Sequence, residues 1–190
     1  MNIVLASASP RRRELLMMLG MPNLTIIPAV GEEVITEGMK PDAAVCALSR
    51  QKAEEVSKLC KLDDLIIAAD TIVFTGGEIL GKPLDEKDAA RMLKRLSNRS
   101  HLVYTGVTIM RGDTIITQCE RTKVHFRRLT ESEISAYIKT GEPMDKAGAY
   151  GVQGLGSIFV DRLSGDYFNV MGLPLCRLSK MLKKMGVSII

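Results

Sequence analysis

The sequence predicts an α/β domain with a mixed sheet. Three observations predict it. Short apolar runs alternate with helix-length amphipathic stretches along the chain. Two turn signals, Gly76-Gly77 and Gly112-Asp113, stand between strand-like runs and mark hairpins. Other strand candidates are separated by helical segments, which suits crossovers between strands.

Asn2 to Ala6 is a short apolar run that suits a buried strand. Ser9 and Pro10 then open a helix as N-cap and first helical residue, with Leu15, Leu16 and Leu19 on one face and Gly20 as its stop. Leu24 to Pro28 reads as a second strand, and Gly31 to Met39 as a polar, acidic loop. Pro41 to Leu59 reads as a long amphipathic helix. Leu65 to Phe74 is the most apolar strand candidate, interrupted by one acid, Asp70. Asp85 caps a helix that runs to Leu96, with Asp88 three residues on. His101 to Met110 and Thr114 to Phe126 read as two long strands of a hairpin. Thr130 and Glu133 form a capping box for a helix ending at Ile138. Gly141 to Gly156 is glycine-rich and polar, Ser157 to Leu163 is a strand, and Leu173 to Met185 closes the chain as a helix.

The 190 residues, 46% of them hydrophobic, are read as one domain over residues 1–190, with no repeat, low-complexity stretch or long linker. Ser97 to Phe126 is the one region that could form a second lobe. The net charge of +4 comes from 26 basic and 22 acidic residues, too mixed to imply nucleic-acid binding by itself. Cys46, Cys60, Cys119 and Cys176 form no Cys-x-x-Cys pair, which argues against zinc clips and redox motifs and points to free buried thiols in a reducing cytosol. No apolar run approaches the roughly 18 residues of a membrane span.

Five constellations bear on chemistry. Ser7-Ala8-Ser9-Pro10-Arg11-Arg12 sets hydroxyls, helix N–H groups and guanidinium groups at a strand-to-helix junction. Such a junction suits an anion, whereas arginines there disfavour the helix itself. The competing reading is a capped helix with solvated arginines. Asp70 in its apolar strand is either a hydrogen-bonded structural acid or a metal ligand or general base. Glu32-Glu33 is a solvated loop pair unless Asp70 needs a second carboxylate for a divalent cation. Lys52, Lys82 and Lys146 are surface lysines or fixed cations for a polyphosphate. Asp145 to Gly154 carries glycines that permit close approach, and Gln153, whose amide can read a base edge. Neither a Walker A nor a G-x-G-x-x-G motif occurs, and with only His101 and His125 a catalytic triad finds no support.

Taken in order, Leu5-Ala6-Ser7-Ala8-Ser9-Pro10-Arg11-Arg12, Ala69-Asp70-Thr71, Gly81-Lys82-Pro83, Asp145 to Gly154 and Gly172-Leu173-Pro174-Leu175 resemble the Maf family of nucleotide pyrophosphatases. The resemblance implies a long twisted mixed sheet flanked by helices with a central cleft, akin to inosine triphosphatases. It implies hydrolysis of a nucleoside triphosphate to the monophosphate and pyrophosphate, dependent on a divalent cation, Mg²⁺ or Mn²⁺. At matching positions, Asp70 would be the proton acceptor and Glu33 would hold the metal with it. Ser7, Arg12, Lys52 and Lys82 would bind the triphosphate. The run Asp145 to Gly154 resembles the branch acting on dTTP and UTP, in which Arg11, Thr71 and Gln153 set base choice. The branch acting on 7-methyl-GTP carries Glu where this chain has Gln153. Arg13 and Phe168 depart from the pattern.

The alternatives are a pyrophosphatase for 7-methyl-GTP or another modified nucleotide, and a septum-formation regulator that binds nucleotide. The resemblance further implies a cytoplasmic house-cleaning enzyme and a homodimer, with no membrane or obligate nucleic-acid partner.

Overall fold

The computed structural model describes residues 2–21, 23–32, 35–36 and 38–189. Its strands are β1 (Ile3–Leu5), β2 (Leu24–Ile26), β3 (Leu65–Thr75), β4 (Glu78–Leu80), β5 (Ser100–Arg111), β6 (Thr114–Phe126) and β7 (Val160–Ser164). Its α-helices are α1 (Pro10–Met18), α2 (Pro41–Ser57), α3 (Glu86–Leu96), α4 (Glu131–Ile138), α5 (Tyr167–Met171) and α6 (Leu175–Lys184). Among the described residues the strands form one sheet of seven in the order β2-β1-β3-β5-β6-β7, with β4 paired to β3. β1 runs parallel to both β2 and β3, while β4 and β7 are antiparallel to their neighbours. The predicted mixed sheet is therefore present.

The chain forms two compact units. The first comprises Met1–Asp70, Thr105–Glu120 and Gly172–Ile190, and the second Thr71–Tyr104 and Arg121–Met171. The hairpin of β5 and β6 is thus not a lobe of its own, since its tip belongs to the first unit and its base to the second.

In the first unit, Ala53 and Val56 of α2 pack on Val4, Ala6, Ile66 and Ala68. Three of these six side chains are alanine, so helix and strands can approach closely. Each fully buried valine or isoleucine contributes about 1.5–3 kcal/mol. Closest approach falls at Gly106, where a Cβ would lie 2.1 Å from the Val45 carbonyl oxygen. α6 buries Leu175, Leu178, Met181 and Leu182 at helical spacing. In the second unit the core is aromatic: Phe126 meets Tyr150 edge-on at 4.6 Å and His101 at 5.0 Å, and Tyr137 meets Phe159 at 5.0 Å. α3 buries Ala89, Met92, Leu93 and Leu96.

Capping follows the sequence at two helices. Asp85 accepts from the Asp88 amide, and Thr130 and Glu133 form the full capping box. Ser9 stands at the N-cap of α1 but makes no side-chain capping bond; its own amide donates to Ser7 Oγ at 3.2 Å. β7 begins at Val160 rather than Ser157, because Leu155–Phe159 forms a 3-10 turn. α5 was not foreseen; Asp166 Oδ1 opens it by accepting from the Phe168 and Asn169 amides. All four cysteines are free, but Cys46, Cys60 and Cys119 are half-buried and Cys176 is exposed rather than buried.

Candidate active site

The parallel register of β1 and β3 positions the first group of side chains. Leu5 stands opposite Ile67, and the Ala6 amide continues the ladder to the Ile67 carbonyl at 2.9 Å. Ser7 lies two residues past the end of β1, and Asp70 lies three residues past Ile67. Ser7 therefore sits just past the carboxyl end of β1, where α/β sheets place their ligands, and Asp70 sits in the middle of β3, beyond the part of it that pairs with β1.

Asp70 is 6% exposed. Its burial is matched by Lys52 of α2, whose Nζ lies 2.5 Å from Asp70 Oδ1. Ala53 and Val56 turn into the core, and Lys52, one residue before Ala53, reaches the strand beside them. A buried carboxylate costs several kcal/mol unless it is paired in this way.

Arg12 is fixed at two points, its Nε donating to the Gly172 carbonyl at 2.8 Å and its Nη1 donating to Ser7 Oγ at 3.1 Å. Ser7 Oγ accepts from both Arg12 and the Ser9 amide, so its single O–H donor is not used in these bonds. Gly172 adopts φ of 106°, a conformation that an L side chain rarely takes. Arg11 is half-buried in the first turn of α1, and Arg13 is exposed. Arg13 also lines a hollow of about 360 Å³ with Ser7, Glu14, Met17 and Ile26.

Ser7, Arg12, Lys52 and Asp70 all belong to the first unit, whereas Thr71, Lys82 and Gln153 belong to the second. Lys82 is exposed in the turn before α3, and the Gly148 amide donates to the adjoining Gly81 carbonyl at 2.9 Å. Gln153 is exposed as well. Lys146 is not a phosphate-facing cation: it is 9% exposed, and its Nζ donates to the Glu142 carbonyl and to Asp145 Oδ1, both at 2.6 Å. Glu33 lies outside the described residues. The Gly172 carbonyl was not singled out as an anchor for Arg12, although Gly172-Leu173-Pro174 was among the segments that signalled the family.

No cluster of three or more His, Cys, Asp or Glu that could hold a metal occurs among the described residues. Mg²⁺ bound through phosphates needs only one or two protein carboxylates, with phosphate oxygens and water completing the shell. Asp70, with one oxygen on Lys52 and a second beside it, fits that donor set.

A strand that ends at an arginine-bearing turn, and a lysine-paired carboxylate on the strand parallel to it, define an α/β protein equipped for an anionic ligand. The chain belongs to the Maf family: the model of the Maf-like protein matches residues 2–185. It is 48% identical over 205 residues to a dTTP/UTP pyrophosphatase of Agathobacter rectalis, covering 99% of both chains. It is 48% identical over 188 residues to a dTTP/UTP pyrophosphatase of Bacillus cereus, covering 99% of this chain and 97% of the relative. A HAM1 protein from Coxiella burnetii shares the fold with a TM-score of 0.51 at 13% identity, covering 97% of this chain and 99% of that one.

Proposed function

We propose that this chain is a metal-dependent pyrophosphatase that hydrolyses dTTP and UTP to the monophosphate and pyrophosphate. The observation that carries the reading is the buried Lys52–Asp70 pair on β3, in the same compact unit as the Ser7–Arg12 turn that follows the parallel strand β1. The relatives named above support the substrate pair, since both are dTTP/UTP pyrophosphatases.

Asp70 takes the proton of the attacking water as its oxygen bonds to the α-phosphorus and the α–β bridging bond breaks. Lys52 exchanges its bond to Asp70 for phosphate oxygens as the triphosphate enters. Arg12, held in a fixed orientation by Gly172, presents its planar donors to the phosphates, and Ser7 donates its O–H beside it. Lys82 adds a further cation for the charge that gathers on the leaving pyrophosphate. Arg11, Thr71 and Gln153 select the base. A divalent cation, Mg²⁺ or Mn²⁺, would be held by Asp70 and Glu33 and would neutralise phosphate charge.

Among the described residues no helix is long and apolar enough to cross a membrane. The four free thiols are what favours a cytoplasmic setting. The homodimer is tested by sedimentation of the purified chain.

The deciding experiment is a panel of nucleoside triphosphates, including CTP, dGTP and 7-methyl-GTP, with and without Mg²⁺ and Mn²⁺, read by pyrophosphate release. Preference for dTTP and UTP with metal present is expected. Preference for a purine, or turnover unaffected by chelator, would refute the assignment.

A further inference from the structure

The loop around Gln153 is tied down on both sides by one carboxylate and one phenol. Glu142 follows Gly141 in a 3-10 turn after α4. Its Oε2 accepts from the Leu155 amide at 3.0 Å. Its Oε1 accepts from the Gly156 amide at 3.1 Å and from Tyr137 Oη at 2.9 Å. Tyr137 Oη in turn accepts from the Gly151 amide at 3.2 Å. Amides two residues before Gln153, and two and three after it, thus end on the same Glu142–Tyr137 pair. Tyr137 is 4% exposed and packs edge-on against Phe159, so the anchor is rooted in the core of the second unit.

The glycines of this loop are explained by the anchor. A Cβ at Gly154, whose φ is 105°, would lie 2.9 Å from Glu142 Oε2. A Cβ at Gly156 would lie 2.6 Å from Tyr137 Oη. The backbone presses on the carboxylate and phenol at points where a side chain would hold it away. Gln153 itself is exposed, as are Gly154 and Leu155, while Val152 and Gly156 to either side are buried. Bonds to an ionised carboxylate are stronger than neutral ones, and three of them converge here.

We infer that Glu142 is a positioning residue for base selection: through Leu155, Gly156 and Tyr137 it holds the Gln153 amide in the orientation that pairs with the keto and N3–H edge of thymine or uracil. This rests on the reading of Gln153 as a base-selecting residue. An amide reads a base edge only when its oxygen and nitrogen are held in register with it, so a loosened loop loses discrimination before it loses chemistry.

The test compares Glu142→Ala, Glu142→Gln, Gln153→Ala and the Glu142→Ala/Gln153→Ala double variant. kcat and KM are measured separately for dTTP, UTP, CTP and dGTP, and folding is checked by thermal melting. For Glu142→Ala, KM for dTTP and UTP is expected to rise roughly tenfold, kcat to change less than about threefold, and selectivity over CTP and dGTP to fall about tenfold. Glu142→Gln, which keeps the shape and one acceptor, is expected to restore part of that selectivity. In the Gln153→Ala background, Glu142→Ala is expected to cost little further selectivity. If Gln153→Ala lowers selectivity while Glu142→Ala keeps it, the positioning role is overturned and the base-selecting reading stands. If Gln153→Ala leaves selectivity unchanged, the base-selecting reading falls and the positioning role with it. A Glu142→Ala variant that slows all four substrates by one common factor would show a structural role only and would overturn the proposal. Should the alanine variant not fold, Glu142→Gln is judged by the same criteria.

Discussion

Lys52 Nζ lies 2.5 Å from Asp70 Oδ1, and the two side chains are 15% and 9% exposed. Removing one partner of such a pair leaves an uncompensated charge, which costs about 3 kcal/mol, whereas neutralising both partners costs far less. Lys52→Met is therefore expected to lower unfolding stability by about 3 kcal/mol and to reduce turnover. Asp70→Asn keeps an oxygen near the ammonium, so stability should fall less, while kcat drops by at least about a hundredfold with loss of the proton acceptor. The double variant should recover stability without recovering turnover. Urea denaturation and steady-state kinetics on the three proteins separate these effects. An active Asp70→Asn protein would remove Asp70 from the chemistry.

Arg12 donates through Nε to the Gly172 carbonyl and through Nη1 to Ser7. Lysine has one donor group on a flexible stem and cannot hold both contacts while facing phosphate. Arg12→Lys is expected to raise KM for the triphosphate roughly tenfold, with a smaller effect on kcat. Initial rates over a range of nucleotide concentrations check this. An unchanged KM would mean that Arg12 serves only to tie α1 to the segment at Gly172.

Gly106 and Gly77 make a controlled pair. A Cβ at Gly106 would meet backbone atoms, Val45 O at 2.1 Å, Val45 C at 2.4 Å and Cys46 N at 2.8 Å. Backbone cannot rotate away, so Gly106→Ala must lift α2 from β5, at about 3 kcal/mol, and must shift Lys52 further along the same helix. At Gly77 nothing lies within 4 Å, and only its φ of 83° opposes a side chain. Gly77→Ala is expected to cost about 1–2 kcal/mol and to leave turnover unchanged. Chemical denaturation and activity assays on both variants check the contrast.

The parts legible in the sequence were those whose physics is local. Asp70 stood out because an acid in an apolar strand needs a partner, and the cap residues Asp85, Thr130 and Glu133 act within their own first turn. What escaped turned on partners that no sequence pattern marks. Ser9 reads as a cap, but Ser7 takes its amide instead. Lys146 reads as a cation for phosphate, yet it donates within its own loop. Glu142 was not singled out, because its partners at Leu155 and Gly156 are amide groups, which every residue except proline carries. Helix α5, with five residues, is too short to show a periodic face.

His101 makes the acid stability of the second unit testable. The residue is 2% exposed, its Nε2 lies 2.8 Å from Tyr150 Oη, and Phe126 packs against its ring at 5.0 Å. Burial, aided by the charge of His125, pushes the imidazole down from 6.5 to about 3. The folded protein therefore keeps His101 neutral in a range where the unfolded chain binds a proton. The stability tied to the neutral ring is complete above the unfolded value of 6.5 and is lost as pH falls toward the folded value of about 3. Over that window the loss approaches about 1.4 kcal/mol per pH unit, or about 2 kcal/mol between about pH 7 and about pH 5. His101→Gln places a side chain without a titrating proton at the same site. Its absolute stability is expected to be lower, since the aromatic contact with Phe126 is lost, but its acid slope should flatten by that amount. Urea unfolding of both proteins across this range measures the difference in slope, and parallel curves would show that His101 is not the group that titrates.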